Sequence, residues 1–296
     1  GNESDHEPSD NGQFGFALNT YSPTLNDSEF GVYYLKYHSR TPVISLRTGT
    51  QEGINDAIDI IVGGGSSTLA TIAYASTAKY FHDYVEDIEL YGLSMATEIG
   101  GFSIGAEYSF RKDVPIQIDD IELLFAALAP LNPAVAEWSY VEGVTELESV
   151  VQGYVLKDIS QLQATFSTFL DPVMGASGGV FLGEIGMMYV HDLPDKDEML
   201  FESGGTTTPN NEIAAGAFGV PVCDTDKYAD DFSWGYRLLY KLNYTGVLGL
   251  GTVSPKIAWA HDVKGNSTFG GPFLEDRKAV TLGLDGTYQE SWSFDV

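Results

Sequence analysis

Residues 89–111 read ELYGLSMATEIGGFSIGAEYSFR, and this stretch decides the fold class. Folded about Gly100 and Gly101 as a two-residue hairpin, it places Ile99 opposite Phe102. One face is apolar with aromatic ends, and its pairs are Ile99–Phe102, Thr97–Ile104, Met95–Ala106, Leu93–Tyr108 and Tyr91–Phe110. The other face is small, polar or charged, and its pairs are Glu98–Ser103, Ala96–Gly105, Ser94–Glu107, Gly92–Ser109 and Leu90–Arg111. Each arm has about the 9–11 residues of a tilted membrane-crossing strand, which predicts a transmembrane β-hairpin.

The same alternation recurs along the chain and predicts an all-β fold, an antiparallel transmembrane β-barrel. The clearest further strands are 160–169, 180–190, 232–244, 252–261 and 278–288; strands 29–38, 42–48 and 69–80 are weaker. About ten or eleven strands are predicted. Residues 1–12 are interpreted as a solvated tail, 63–65 as a turn, and 51–62 as a short helix or a plug-like segment.

Short and long connections alternate, which predicts an orientation. The short ones are 100–101, 170–179, 245–251 and 289–291; the long ones are 112–159, 191–231 and 262–277. Bacterial outer-membrane barrels have short periplasmic turns and long extracellular loops. The loop 112–159 carries a helical pattern at 119–128, with Asp119 or Asp120 as N-cap and Pro130 as stop. We therefore expect a small helix in an extracellular loop, packed on or inside the barrel mouth.

Composition excludes some classes of function. The net charge of −27 argues against nucleic-acid binding, because phosphate contacts need clustered lysine and arginine. The sequence contains no run of 18 apolar residues, so no transmembrane helix is predicted. The chain stops five residues into a new strand, so we expect one β-barrel domain over 1–296 that is part of a longer barrel of about 14 or more strands. Cys223 is the single cysteine, and either a partner elsewhere or a buried thiol would explain it.

Five segments in order resemble a known family. They are 30–43 (FGVYYLKYHSRTPV), 86–111, 180–194 (VFLGEIGMMYVHDLP), 229–244 (ADDFSWGYRLLYKLNY) and 254–289. Over nearly its whole length the chain resembles the carboxy-terminal portion of the Gram-negative outer-membrane proteins of the domain of unknown function 1302. The resemblance implies location in the bacterial outer membrane, contact with its lipid and lipopolysaccharide, and export or uptake of hydrophobic or lipid-like molecules. It also implies an outer-membrane or periplasmic lipoprotein partner and an inner-membrane exporter of the resistance-nodulation-division type.

The charged residues of the predicted strands are the first site candidates, because they fall on the polar face. They are Glu98, Glu107, Arg111, Glu184, Arg237, Lys241, Lys256 and Asp285. They would line a lumen and tune its selectivity, or they would only pair with one another to satisfy a filled interior. The pairing interpretation is favoured, and Glu184 with Arg237 is the pair that the assumed register predicts.

The aromatic residues at the strand ends form the second set, and they are typical of the interfacial girdles of a barrel. The predicted outer set is Tyr91, Phe110, Tyr189, Trp234 and Trp259; the inner set is Phe102, Tyr244, Tyr288 and Trp292. In a soluble protein the same residues would form a core.

Three acidic rim motifs form the third set: His191-Asp192, His261-Asp262 and Asp230-Asp231. Histidine beside carboxylate can activate water, which leaves a rim hydrolase or protease open as an alternative. Sequence neighbours on a strand point to opposite faces, so catalysis is disfavoured and no enzyme activity is predicted. A structural or adhesive barrel whose acidic loops bind cations is a further alternative. The remaining histidines (His6, His38 and His82) lack ligand spacing, and neither a metal nor a cofactor is predicted.

Overall fold

The computed structural model describes residues 1–249, 251–289 and 291–296, and the chain is mostly β. The strands are β1 (Phe14–Ser22), β2 (Ser28–Tyr37), β3 (Val43–Arg47), β4 (Lys79–Asp83), β5 (Ile88–Ile99), β6 (Phe102–Gln117), β7 (Val150–Val151), β8 (Tyr154–Leu170), β9 (Gly178–Val190), β10 (Phe232–Val247), β11 (Gly251–Lys264), β12 (Lys278–Tyr288) and β13 (Trp292–Asp295). The helices are α1 (Gln51–Val62), α2 (Ser67–Thr77), α3 (Asp120–Ala127), α4 (Pro133–Ala136) and α5 (Glu212–Phe218). Within the described residues no helix is long and apolar enough to cross a membrane.

Ten strands form one antiparallel sheet in the order β1-β2-β5-β6-β8-β9-β10-β11-β12-β13. Every neighbouring pair is antiparallel, as the alternating sequence predicts. β1 and β13 are the two edge strands, and no pairing among the described residues joins them. The all-β prediction is therefore confirmed, whereas closure into a barrel stays a prediction.

The central hairpin has the register that the sequence predicts. β5 and β6 pair Ile99 with Phe102 and continue without interruption to Leu90 opposite Arg111. Gly100 and Gly101 occupy the turn with φ of 60° and 82°, a left-handed conformation that glycine adopts without steric cost. A slip of one residue would move every side chain to the other face, so this register fixes both faces of the sheet.

One face of the sheet presents large apolar side chains outward. Phe16 is 70% exposed, Leu18 is 71% exposed and Leu282 is 73% exposed. The same register places further exposed apolar residues on this outer face: Val32, Tyr91, Leu93, Met95, Tyr108, Leu162, Tyr189, Ile257 and Val280. Exposed apolar side chains therefore lie on this face from β1 to β12.

The strand connections are short at one end of the sheet and long at the other. Residues 23–27, 100–101 and 171–177 make short turns, whereas 38–87, 118–153, 191–231 and 265–277 are long. The predicted short connections 245–251 and 289–291 contain residues 250 and 290, which lie outside the described residues. Because neighbouring strands are antiparallel and short and long connections alternate, all the long connections lie at the same end of the sheet, as the sequence predicts.

The long connections pack together at that end into a second layer with its own core. It contains a three-stranded sheet, β4-β3-β7, and helices α1 to α5. One cluster consists of apolar residues of α3, of the strand ends nearest the long connections and of the loops, and it includes Leu123, Val190 and Phe201. A second cluster around the fully buried Tyr74 joins α2 to α3. The predicted helix of the 112–159 loop therefore exists as α3, with Asp119 as its N-cap residue.

Two predictions for the amino-terminal part are wrong. Residues 69–80 fold mainly as α2 rather than as a strand; Tyr74 and Ala70 point into the helical core, and the Ser66 side chain caps the helix. Residues 1–12 are not a free tail, because Asn2 and His6 bridge to β4. Strand β1 was not predicted and follows at once. The ten strands of the large sheet agree with the predicted ten or eleven, and the small sheet brings the described residues to thirteen strands.

Candidate functional site

The polar face of the sheet lines a groove. A cavity of about 500 Å³ lies along it, and its lining includes Tyr33, Ser94, Glu107, Gln163 and Arg237. A second cavity of about 440 Å³ continues toward the short turns and shares Tyr33, Ser94, Glu107 and Gln163 with the first. Because the cavities share these residues, they form one continuous groove on the face opposite the exposed apolar residues.

A third cavity of about 690 Å³ extends the groove toward the long loops. It shares Leu35, Gln161 and Pro272 with the middle cavity. Its remaining walls come from the strand ends nearest the long connections, from residues 38–43 and from the connection 265–277. We call this connection the strap, and the third cavity the upper cavity.

The strap lies over the groove and is fixed there by its own residues. Phe273 is buried at 8% exposure and joins the core cluster that contains Met188 and Val190. A Cβ on Gly186 of β9 would lie 3.0 Å from the Phe273 ring, so glycine allows this close approach. The strap closes on itself through Ser267, whose N–H donates to the Phe273 carbonyl at 3.0 Å. An aromatic side chain of the strap therefore packs against the polar face of the sheet.

Asp262 ties the strap to the sheet. Its carboxylate is 1% exposed, and Oδ2 accepts from Arg277 Nε at 2.6 Å and from the Leu274 N–H at 3.1 Å. The other oxygen, Oδ1, lies 2.8 Å from Arg237 Nη2 on β10. Gly235 opposite Asp262 leaves room for this carboxylate. One buried acid thus joins a strap cation to a sheet cation.

The predicted pairing of Glu184 with Arg237 is correct in register and wrong in partner. The two residues are directly opposed on β9 and β10. Arg237 instead pairs with Asp262, its diagonal neighbour on β11, while Glu184 accepts a hydrogen bond from Gln163 Nε2 at 3.0 Å. Asp262 attracts Arg237 more strongly because it is almost fully removed from water, whereas Glu184 faces the groove.

A second charge network lies on the polar face near the edge of the sheet. Asp285 binds both Lys241 and Lys256, the latter at 2.6 Å, and Lys256 also binds Asp295 at 2.7 Å. These residues come from four successive strands, β10 to β13. The interpretation that inward charges pair with one another fits this network.

The other predicted polar-face residues also lie on the polar face. Glu107 lines the groove, and Glu98 lies near the hairpin turn with Ser103. Arg111 faces the upper cavity, where its Nη2 donates to Gln161 Oε1. All eight candidate residues therefore share one face, and whether this face lines a closed lumen stays a prediction.

All nine predicted girdle residues lie on the apolar face of the sheet. The Tyr91 ring lies tilted against the Tyr34 ring, with centroids 5.2 Å apart. Trp259 donates its indole N–H to the Tyr236 hydroxyl at 3.2 Å. Their position at a membrane interface stays a prediction.

Among the described residues, neither His191 nor His261 hydrogen-bonds to the aspartate that follows it in sequence. His191 lies on the apolar face, where its Nε2 is 2.9 Å from Ser160 Oγ and its ring packs edge-on against Tyr189. His261 lies among aromatic rings of the same face, while Asp262 points to the polar face. Asp230 binds Lys196 at 2.7 Å. The opposite orientation of strand neighbours explains why neither histidine faces its adjacent aspartate, and the absence of enzyme activity stays a prediction.

An acidic cluster that sequence reasoning missed lies at the start of α3. Asp119, Asp120 and Glu202 place carboxylate oxygens within 4.8 Å of one another. Asp119 is 4% exposed, and burial, together with Glu202, raises the pKa of Asp119 to about 8. At neutral pH Asp119 is therefore mostly protonated. Burial likewise raises the pKa of Tyr228, whose hydroxyl faces Asp119.

The remaining histidines and the cysteine have local partners. His6 Nδ1 lies 2.7 Å from Asp83, and His82 Nδ1 lies 3.0 Å from Asp5, which fastens the amino-terminal segment to β4. His38 bridges the Asn11 carbonyl and the Asp87 N–H. Cys223 is a buried free thiol in a small cluster with Leu200 and Tyr228.

Comparison with known proteins gives one match. A family model described as "Protein of unknown function (DUF1302)" matches residues 2–296. No curated protein and no solved structure matches the chain.

Proposed function

We propose that this chain, which belongs to the DUF1302 family of proteins of unknown function, forms a β-barrel of the bacterial outer membrane that passes hydrophobic or lipid-like molecules. The observation that carries the proposal is the contrast between the two faces of the sheet. Large apolar side chains are exposed on one face, and a continuous groove with charged residues follows the other. Barrel strands in a membrane alternate in this way between lipid and lumen.

The interior features suit an apolar cargo better than a water-filled pore. Leu35, Leu90 and Phe273 line the groove beside its polar groups. Arg237 of the groove is paired with Asp262, and Glu184 accepts a hydrogen bond from Gln163. Apolar side chains beside a small number of partnered polar groups are typical of sites that bind apolar molecules.

The orientation and the partners follow from the same proposal. The long connections with α1 to α5 would face the cell exterior, and the short turns would face the periplasm. A lipoprotein and an inner-membrane exporter of the resistance-nodulation-division type would deliver or receive cargo at the short-turn end. Outer-membrane lipid and lipopolysaccharide would cover the apolar face.

Passage of a hydrophobic dye tests this function. Two adjacent residues of β8 provide a matched pair, because Gln163 lines both groove cavities and Ala164 points to the apolar face. Outer-membrane vesicles containing wild type should exchange the dye faster than vesicles without it. Gln163→Trp should abolish this gain, and Ala164→Trp should preserve it. Equal exchange by both variants, or no gain with wild type, would refute the proposal.

A further inference from the structure

We propose that the upper cavity binds the anionic head of an amphiphile, a carboxylate or phosphate attached to an apolar chain. This inference rests on the proposed function and names the substrate class. It starts from the charge distribution: the chain has 42 acidic and 15 basic residues. Even so, the residues that line the upper cavity include Arg40 and Arg111 and no aspartate or glutamate.

The pairing of the arginines points to the same place. Of the five arginines, Arg47, Arg237 and Arg277 each bind a carboxylate. Arg40 and Arg111 have no ion pair within the described residues, and both line the upper cavity. In a strongly acidic protein, a cavity that keeps two cations and excludes every carboxylate is electrostatically prepared for an anion.

Arg111 has unused hydrogen-bonding capacity. Its Nη2 donates to Gln161, but its buried Nε has no hydrogen-bond partner within the described residues. A buried donor without an acceptor is unfavourable, and guanidinium groups bind carboxylate and phosphate oxygens with two parallel N–H donors. A ligand oxygen beside Nε would complete the coordination of this guanidinium.

The rest of the upper cavity suits an apolar chain. Ile88, Ile116, Ile159 and Met188 form a buried wall, and Phe269 and Pro272 of the strap lie across it. The cavity continues into the groove through Leu35. A ligand with its head at Arg111 would therefore direct its chain along the groove. Ligand sites commonly combine such an apolar lining with a few polar groups that fix orientation.

Equilibrium binding of radiolabelled hexadecanoate to the purified full chain in neutral detergent tests the inference. The competitors share one chain and differ in the head: hexadecanoate, hexadecyl phosphate, hexadecanol and hexadecylamine. An anionic competitor should displace the label at least about tenfold better than hexadecanol, because charge-assisted hydrogen bonds are stronger than neutral ones. The two anions tell a carboxylate preference from a phosphate preference. Equal competition by hexadecanoate, hexadecyl phosphate and hexadecanol would overturn the inference.

Variants locate the site. Arg111→Gln should weaken hexadecanoate binding about tenfold or more and leave hexadecanol binding unchanged. Arg111→Lys should retain part of the preference for hexadecanoate over hexadecanol, because lysine keeps the positive charge but lacks the two parallel N–H donors of the guanidinium. Lys112→Gln removes the same charge from the adjacent residue on the opposite face and should change nothing. Equal loss of both ligands in Arg111→Gln would contradict an anion site there.

This inference and the proposed function can fail separately. Dye exchange that depends on Gln163, with no preference for an anionic head, would retain the barrel function and reject the anion site. Selective binding of hexadecanoate through Arg111, with no dye exchange, would retain the site and reject passage through the groove.

Discussion

Asp262→Ala should release the strap from the groove. The side chain is 1% exposed and makes three contacts: two hydrogen bonds at Oδ2, from Arg277 and from the Leu274 N–H, and one ion contact at Oδ1, with Arg237. Alanine removes all three and leaves two arginines without their shared carboxylate.

The size of the effect follows from the burial of the partners. Removal of one member of a buried ion pair costs about 3–5 kcal/mol. The Arg237 and Arg277 side chains are 35% and 51% exposed, so water partly replaces the lost carboxylate. The lower limit therefore applies, and about 3 kcal/mol corresponds to a population of the released strap that is roughly a hundredfold larger.

Amide hydrogen exchange, followed by mass spectrometry of peptides, measures this population. Exchange over residues 265–277 should accelerate roughly a hundredfold in Asp262→Ala, while peptides from β5 keep their wild-type rates. Asp276→Asn is the matched control, because Asp276 lies in the same connection, is exposed and has a positive φ that asparagine accepts. Acceleration of less than about threefold would show that Asp262 does not hold the strap.

Two further predictions concern the helical layer. The pKa of Asp119 is about 8 in the folded protein and 3.8 ordinarily, so the folded state binds this proton more tightly than the unfolded chain does. The free energy of unfolding that Asp119 contributes is therefore fully present below pH 4 and decreases as the pH rises to 8. Asp119→Asn should accordingly raise the melting temperature at pH 8 and change it little at pH 4; an equal shift at both pH values would contradict the assignment. Tyr74→Phe should destabilise the layer by about 1–2 kcal/mol, because the hydroxyl accepts from the Gly49 N–H and donates to a carbonyl of α3. Chemical denaturation should show no comparable loss for the exposed Tyr140→Phe, and a loss below about 0.5 kcal/mol in Tyr74→Phe would be too small for a buried hydrogen-bonded hydroxyl.

The strand pattern and its register were predictable because the side-chain period of a strand is local information. The Gly100-Gly101 turn fixes the pairing of β5 with β6, and alternation then assigns each residue to a face. The helix α2 was missed because Ala, Ile, Thr and Tyr fit a strand or a helix equally well over a short run. Its burial against α3 decides the outcome, and that contact joins residues far apart in the sequence.

The site was less predictable than the fold. All eight charged candidates lie on one face, as expected, but which of them pair depends on diagonal contacts between strands and, for Asp262, on the strap. Asp262 appeared in the sequence only beside a histidine, whereas its function in the structure is to join Arg237 to the strap. The acidic residues Asp119 and Glu202 are brought together by long-range packing, for which the sequence has no periodic signal. The strap over the groove likewise follows from the fold of residues 265–277.

The accessibility of three consecutive residues in the membrane shows whether the apolar face contacts lipid. Leu93→Cys, Ser94→Cys and Met95→Cys, each in a Cys223→Ser background, place a single thiol on alternate faces of β5. If the apolar face contacts lipid, a membrane-impermeant maleimide should label position 94 and leave positions 93 and 95 unlabelled. Strong labelling at 93 and 95 with none at 94 would contradict contact between the apolar face and lipid.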